Sequence, residues 1–508
     1  MVAIVRVPAS DFSPERLDTG FYSKEFYAAR AQILRSGFSL EPIGAVCEPW
    51  QFGAYALCND IVWSNEKEGI PFLKAEAIES PLVNDSPLSY VTKATHSLLS
   101  KSALKAGDII MSTSGTVGRL AVLPDAIPVA NSNQDTIKFS LSGSSYDSHF
   151  VAAWLTSSYA QAFMNREAGG AVQQHIYLYN FKRLPLLKLS PNGQKYIGDK
   201  VRQAERLRAW SKARGASIDA LASNEAMKSA CEITQKQHNR PQLDDLSHRL
   251  DPKYYGNRAV AVFRQAKALG KPLSSLVKGI ANGFEERVFF DTGRDYITVT
   301  EVSSGRLDLS TAPKISDSTE VPDKATINER CALIVRTGSI GTAVKVDARD
   351  RGAVISSHLI RLEFADEADA AAVAAYLCSP AGKVLQHKIS YGAVQPQIGQ
   401  DELLALPIPQ FVLDEKEQFL TLLTEKESAI RASKALTTTA KVLVEALIEG
   451  RLTETELIAA EQALQAGNDQ LDRRILNRLK TDDIDGQGGM LFGDLDELYR
   501  LLAQAEAD

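Results

Sequence analysis

The stretch AGGAVQQHIYLYNFKRLP, residues 168 to 185, returns as SYGAVQPQIGQDELLALP, residues 390 to 407, and this recurrence decides the architecture. Gly170, Ala171, Val172, Gln173, Ile176, Leu184 and Pro185 come back as Gly392, Ala393, Val394, Gln395, Ile398, Leu406 and Pro407, all at an offset of 222. Chance rarely keeps seven positions in register. The same offset lays VAAWL (151 to 155) over VAAYL (373 to 377), and an offset of 223 lays SGTVG (114 to 118) over TGSIG (337 to 341). Nearer the start of each copy, Arg16, Leu17 and Asp18 match Arg249, Leu250 and Asp251 at an offset of 233, so ten residues were gained or lost before the first shared loop. A period this long means two similar domains rather than a solenoid, whose repeats span about 20 to 50 residues.

With 508 residues, 44% hydrophobic and 24% charged, the composition is that of an ordinary soluble protein, with room for about two to four domains. The N-terminal residues lack a basic region followed by an apolar run, and no stretch approaches the ~18 uncharged apolar residues of a membrane span. The expectation is a cytoplasmic protein with no membrane contact. Cys47, Cys58, Cys231, Cys331 and Cys378 are odd in number and scattered, against both a disulfide framework and a paired-cysteine zinc site. The formal charge of −6 is concentrated at the C-terminal end: residues 481 to 508 carry eight acidic side chains against Arg500, which leaves the rest of the chain at +1. Overall acidity therefore does not exclude nucleic acid, because phosphate contact needs a basic patch and not a basic average.

Residues 1–190 form the first domain in this reading. A helix is expected over SKEFYAARAQILRSG, two strands around the loop of GDIIMSTSGTVGRLAVLP, and one helix over residues 147 to 166. Residues 191–248 supply a long helix and a linker. Ile197, Val201 and Leu207, with Ala204 between, make an apolar stripe on a charged helix that Gly215 is expected to weaken or bend. Residues 249–410 repeat the first domain. Residues 411–452 give a second long helix with the stripes Phe419, Leu423, Ile430 and then Leu436, Leu443, Leu447. Two such helices bury their stripes against each other or against a partner. Residues 453–508 lie outside the duplication: Thr453 with Glu456 and Asp494 with Glu497 are helix-capping pairs, and the acidic extension is a candidate for docking on a partner.

The duplicated loops are the place to look for recognition. Thr113, Ser114, Thr116 and Arg119 in the first copy, with Arg336, Thr337, Ser339 and Lys345 in the second, offer hydroxyl and cationic donors suited to phosphate oxygens. The phosphate-binding pattern GxxxxGK[ST] is absent. Asn133 and Gln134 correspond approximately to Ser357 and His358, and such side chains bond to base edges. Gln173 and Gln395 either face a duplex or knit together their own domains. Residues shared by both copies suit a shared task such as backbone contact; those that differ suit reading different bases. No GxSxG or HExxH occurs, the seven histidines form no ligand cluster, and neither a methyltransferase nor a nuclease signature is present. No metal site and no catalytic residue are expected.

GDIIMSTSGTVGRLAVLP with ALIVRTGSIGTAVKV, GAVQQHI with GAVQPQI followed each time by Leu-Pro, and the ending LVEALIEGRLT together resemble the specificity subunit of a type I restriction-modification system, over about residues 12 to 452. The resemblance implies a mixed α/β and α+β fold. Two homologous target recognition domains would be separated by long helices forming an antiparallel coiled coil, followed here by a C-terminal helical extension foreign to the family pattern. It also implies a non-catalytic reader of a bipartite target in double-stranded DNA. Two methyltransferase subunits holding S-adenosylmethionine would dock mainly on the helices, and a nuclease-translocase subunit could join them. The alternatives are a protein scaffold of a defence complex, which would bind DNA without regard to sequence if at all, and an enzyme with a composite site.

Overall fold

The computed structural model describes residues 7–14, 16, 18–51, 60–84, 88–170, 174–392, 394–479 and 490–508. Two compact units share the chain, one built from residues 1–209 with 430–508 and the other from residues 210–429. Both divisions fall inside a long helix, Pro191–Leu221 and Lys416–Ile448, so each unit owns a length of each helix. The first of these helices runs through Gly215 without a break.

The duplication extends to strand topology. In the first unit, Ile109–Ser112 lies between Leu120–Val122 and Thr136–Phe139, antiparallel to both. In the second, Cys331–Val335 lies in the same way between Ala343–Lys345 and Leu359–Glu363. The central strands are buried on both faces, which is why they read as continuous apolar runs rather than alternations. A parallel pair also recurs: Val129–Ser132 beside Ile70–Leu73, and Val354–Ile355 beside Arg294–Ile297. The repeated Leu-Pro opens a short strand in each unit, Pro185–Leu187 against Leu40–Pro42 and Pro407–Pro409 against Gly270–Pro272. These pairs have only two strands, where a proline's missing N–H can face outward.

The single helix expected over residues 147 to 166 is two helices, Ser148–Thr156 and Ser158–Glu167. Ser157 breaks it. Its backbone turns extended (φ −66°, ψ 153°), its Oγ donates to the Trp154 carbonyl at 2.6 Å, and it accepts from Ala160 N at 3.2 Å as the cap of the next helix. Ser379, 222 residues on, does the same between Glu367–Cys378 and Pro380–Ile389, with bonds to Tyr376 O (2.6 Å) and from Gly382 N (3.2 Å). Periodicity alone hides the break, because the apolar spacing is kept across it; a serine's competition for local backbone groups is the signal.

Ile197, Val201, Ala204 and Leu207 have no exposed surface, and neither do Phe419, Leu436, Ala440 and Leu443; Leu447 is also buried. Leu423 and Ile430 are half-buried. Within the first unit Ser433 Oγ donates to the Ala204 carbonyl at 2.8 Å. Within the second, Ser211 Oγ donates to the Lys426 carbonyl at 3.2 Å and Arg214 pairs with Glu425 at 3.2 Å. Residue numbers rise along one helix as they fall along the other, so the helices are antiparallel.

The C-terminal extension folds onto its own unit. Thr453 and Glu456 form the expected capping box of Glu454–Gln465, and Asp494 caps Leu495–Ala507. Buried Asp472 accepts from Lys200 Nζ at 2.7 and 2.8 Å, from Tyr196 OH at 2.5 Å and from Tyr499 OH. Leu498 and Leu501, the heart of the apolar face on the last helix, are buried within this unit, while Leu495 and Leu502 are half-buried. Among the described residues no helix is long and apolar enough to cross a membrane.

Candidate nucleic-acid interface

Each glycine loop connects the central strand to its antiparallel neighbour. In the first unit Ser112 Oγ closes the loop by donating to Thr116 O at 2.6 Å. Gly118 adopts φ 87°, and a Cβ there would lie 2.2 Å from the Met164 sulfur. Its counterpart Gly341 (φ 103°) would meet Lys383 Cγ at 3.2 Å. Both positions therefore need glycine, for the sign of φ and for the close approach of a helix.

The two duplicated motifs, far apart in sequence, lie side by side in each unit through the same contacts. Ser114 bridges to His175 and Thr337 to Gln397; Gly169 bridges to His175 and Tyr391 to Gln397. Ile176 N donates to Thr113 O at 3.0 Å and Ile398 N to Arg336 O at 2.9 Å. The two repeated isoleucines have no exposed surface. They pin the chain that follows GAVQ to the base of the glycine loop by burying apolar area, which explains why an isoleucine stands at this position in both copies.

The repeated Arg-Leu-Asp holds the GAVQ loop from its other end. Arg16 Nη2 donates to Ala168 O at 3.0 Å, and Arg249 donates to Ile389 O at 2.5 Å and Ser390 O at 3.0 Å. In each unit these are carbonyls at the C-terminus of the helix leading into the loop, where a cation offsets the helix dipole. The paired aspartate orients the guanidinium: Arg16 bonds Asp18 at 2.7 Å, and Arg249 bonds Asp251 at 2.7 and 2.8 Å. Hydrogen bonding from Arg16 and Arg249 pulls the Asp18 and Asp251 carboxyls below the ordinary carboxylate range. In the second unit a cavity of about 420 Å³ opens between this clamp and the loop, lined by Arg249, Lys253, Tyr391 and Glu402 among others. The sequence marked Arg16 and Arg249 as repeated but gave them no task.

The candidate residues divide into those at the surface and those turned inward. Thr116, Ser339, His358 and Gln395 are exposed, and Ser114, Gln134 and Ser357 are half-exposed. Thr113 and Thr337 are buried at the loop bases, Thr113 with its hydroxyl unpartnered among the described residues. Arg119 donates to the Ile78 carbonyl, and Arg336 to the Ser357 carbonyl at 3.3 Å, so both guanidinia serve their own domain. Lys345 is paired with Glu367 at 2.5 Å. Asn133 donates to Asp135 at 3.2 Å. Gln173 lies outside the described residues. The exposed Thr116 and Ser339, rather than these three cations, are what the loops present outward.

The approximate match around Asn133 becomes a fixed register. Asn133 N donates to Leu73 O and Ser356 N to Ile297 O, while Thr113 N meets Asp135 O and Arg336 N meets His358 O. Asn133, Gln134 and Asp135 therefore stand where Ser356, Ser357 and His358 stand. Neither Asn133 Oδ1 nor Ser356 Oγ has a hydrogen-bond partner among the described residues. Beneath this turn in the first unit lies Lys138, with no exposed surface and its ammonium 3.5 Å from Asn133 O. Burial pushes the Lys138 pKa down to about 8.

No family model and no curated protein matches this chain. Solved structures do resemble it. Among them are type I restriction-modification S subunits. The S subunit from M. genitalium is 12% identical, with 81% of this chain and 96% of that chain covered at a TM-score of 0.40. The HsdS subunit from Thermoanaerobacter tengcongensis is 12% identical, with coverage of 82% and 97% at 0.28. A chain from a structure on complex assembly and conformational transition of the type I R-M system is 12% identical, with coverage of 82% and 98% at 0.27. The likeness assigns no role to individual residues.

Proposed function

We propose that this chain is a non-catalytic DNA specificity subunit that reads a bipartite target, one half with each unit. The observation that carries the reading is the repetition of one loop assembly, with Ser114 against His175 and Thr337 against Gln397, in two units that share a pair of antiparallel helices. A surface made twice, alike in its backbone contacts and unlike at Asn133–Asp135 and Ser356–His358, suits two grips on a regular phosphate backbone with different bases beneath. The paired helices then act as a stiff spacer, which makes gap length part of the specificity and lets two modest affinities multiply. Methyltransferase subunits, two in number and carrying S-adenosylmethionine, dock mainly on the helices and modify adenine. Base flipping in this reading belongs to the methyltransferase. A nuclease-translocase subunit can join the assembly.

Methylome sequencing of cells carrying this gene with its methyltransferase partner, compared with cells lacking only this gene, tests the reading. A split motif that disappears with the gene is the expected result. Methylation independent of this chain would leave the scaffold reading in its place.

A further inference from the structure

Directly after the GAVQ loop of the first unit stand two large exposed rings, Tyr177 at 54% and Tyr179 at 63% exposure. They are nearly parallel (13°) with centroids 5.8 Å apart, and His175, the bridge between the two loops, packs edge-on against Tyr177 at 4.8 Å. Neither tyrosine hydroxyl has a hydrogen-bond partner among the described residues, and the same holds for the exposed Arg183 guanidinium. Residues 168 to 183 contain no Asp or Glu. At the same offset of 222 the second unit has Gly399, Asp401 and Ala405, with Glu402 beside them.

We propose that Tyr177, Tyr179 and Arg183 form a phosphate-contact edge that the first unit applies to duplex DNA and the second unit lacks. The inference rests on the DNA-reading function above and extends it to named contacts. The rings already pack on each other, so no base can enter between them; what they offer outward is two donor hydroxyls and their ring edges. Hydroxyl donors beside an unpaired guanidinium suit phosphate and sugar, which receive most protein–DNA hydrogen bonds. An acid at position 401 repels phosphate, so the second unit grips its half-site by its loops alone. The two half-sites are thus held with unequal strength.

The test is fluorescence anisotropy of the full-length chain with a labelled mixed-sequence DNA duplex over a salt series. Replacing both tyrosines (Y177F with Y179F) is expected to weaken binding roughly tenfold at every salt concentration with an unchanged salt slope, since two hydrogen bonds from neutral donors are lost and no protein charge. R183A is expected to flatten the slope by about 0.9, the loss of one neutralised phosphate. Asp401→Asn is expected to strengthen binding at low salt, and unchanged affinity would overturn the repulsion assigned to position 401. Thermal melting should show all variants folded as wild type, because the substituted side chains are exposed. Wild-type affinity and slope in the phenylalanine and alanine variants would overturn the phosphate edge while leaving the DNA reading intact. Loss on replacing both rings with alanine, but not with phenylalanine, would also overturn it in favour of ring packing. A wild-type chain that binds no duplex would overturn both.

Discussion

Lys138 places an ammonium at a point with no exposed surface, supported among the described residues by a carbonyl 3.5 Å away. Its folded pKa of about 8 lies below the unfolded value of 10.5. Between these values the unfolded chain holds a proton that the folded chain has released, so stability rises with pH from about 8 to 10.5 and is lowest below that window. K138M is expected to stabilise the first unit at pH 7 by something on the order of 2 kcal/mol, and its advantage should shrink towards pH 10. Melting curves of wild type and variant at the two pH values check this; a variant that melts lower at pH 7 would mean that the ammonium is better supported than the geometry shows. Gly118 is the second residue whose demand is specific. G118A must place a Cβ 2.2 Å from Met164 at a φ of 87°, and a cost of about 1–3 kcal/mol is expected. G338A, at φ 94° with open space around its Cβ position, should cost less because only the backbone strain applies. Paired melting measurements on the two variants would separate strain from collision.

The elements show how repeated residues acquire tasks. Ser157 and Ser379 break a helix at the same place in both units, and Arg16 and Arg249 cap the helices that follow. The C-terminal extension has no counterpart in the repeat, and its hold on the first long helix centres on Asp472. Burial by itself would raise the Asp472 carboxyl, but the Lys200 ammonium and the Tyr196 and Tyr499 hydroxyls outweigh it and keep the carboxyl below its ordinary value. Because the folded pKa is depressed, this contact contributes at neutral pH and is lost as pH falls below about 4. D472A leaves Lys200 buried without its ion pair, a change worth about 3–5 kcal/mol. The expected consequence is release of the extension, read as faster amide exchange in Leu495–Ala507 with exchange in Ile109–Ser112 unchanged. Unaltered protection of the last helix would show that Leu498 and Leu501 suffice to hold it.

For the whole molecule, the duplication makes a prediction that no single residue makes. Under the proposed reading, replacing the recognition region of the first unit, its long-helix segments retained, by that of a chain with a different target should change one half of a methylated motif and preserve the other half and the gap. Methylome sequencing reads all three. A change in both halves would mean that the units do not read independently. The helix Leu495–Ala507 does not enter this prediction, because Tyr499 joins Asp472 and Lys200 beside the long helix of the first unit.

The sequence by itself determined the duplication, the two long helices with their stripes, the glycine loops between strands and the capping of the extension. All of these are local or periodic, so spacing carries them: a stripe recurs every three or four residues, a cap lies within one turn, and a repeat keeps its offset. Only the tertiary structure decided which polar residues face outward. Arg119, Arg336 and Lys345 read as phosphate donors in sequence, yet each is drawn to a carbonyl or a carboxylate of its own domain, 41 residues away in chain for Arg119, 21 for Arg336 and 22 for Lys345. The Tyr177 and Tyr179 rings carry no assignment in the sequence and stand in solvent. A side chain's partners are set by what folding brings beside it, and that information lies in no single window of the chain.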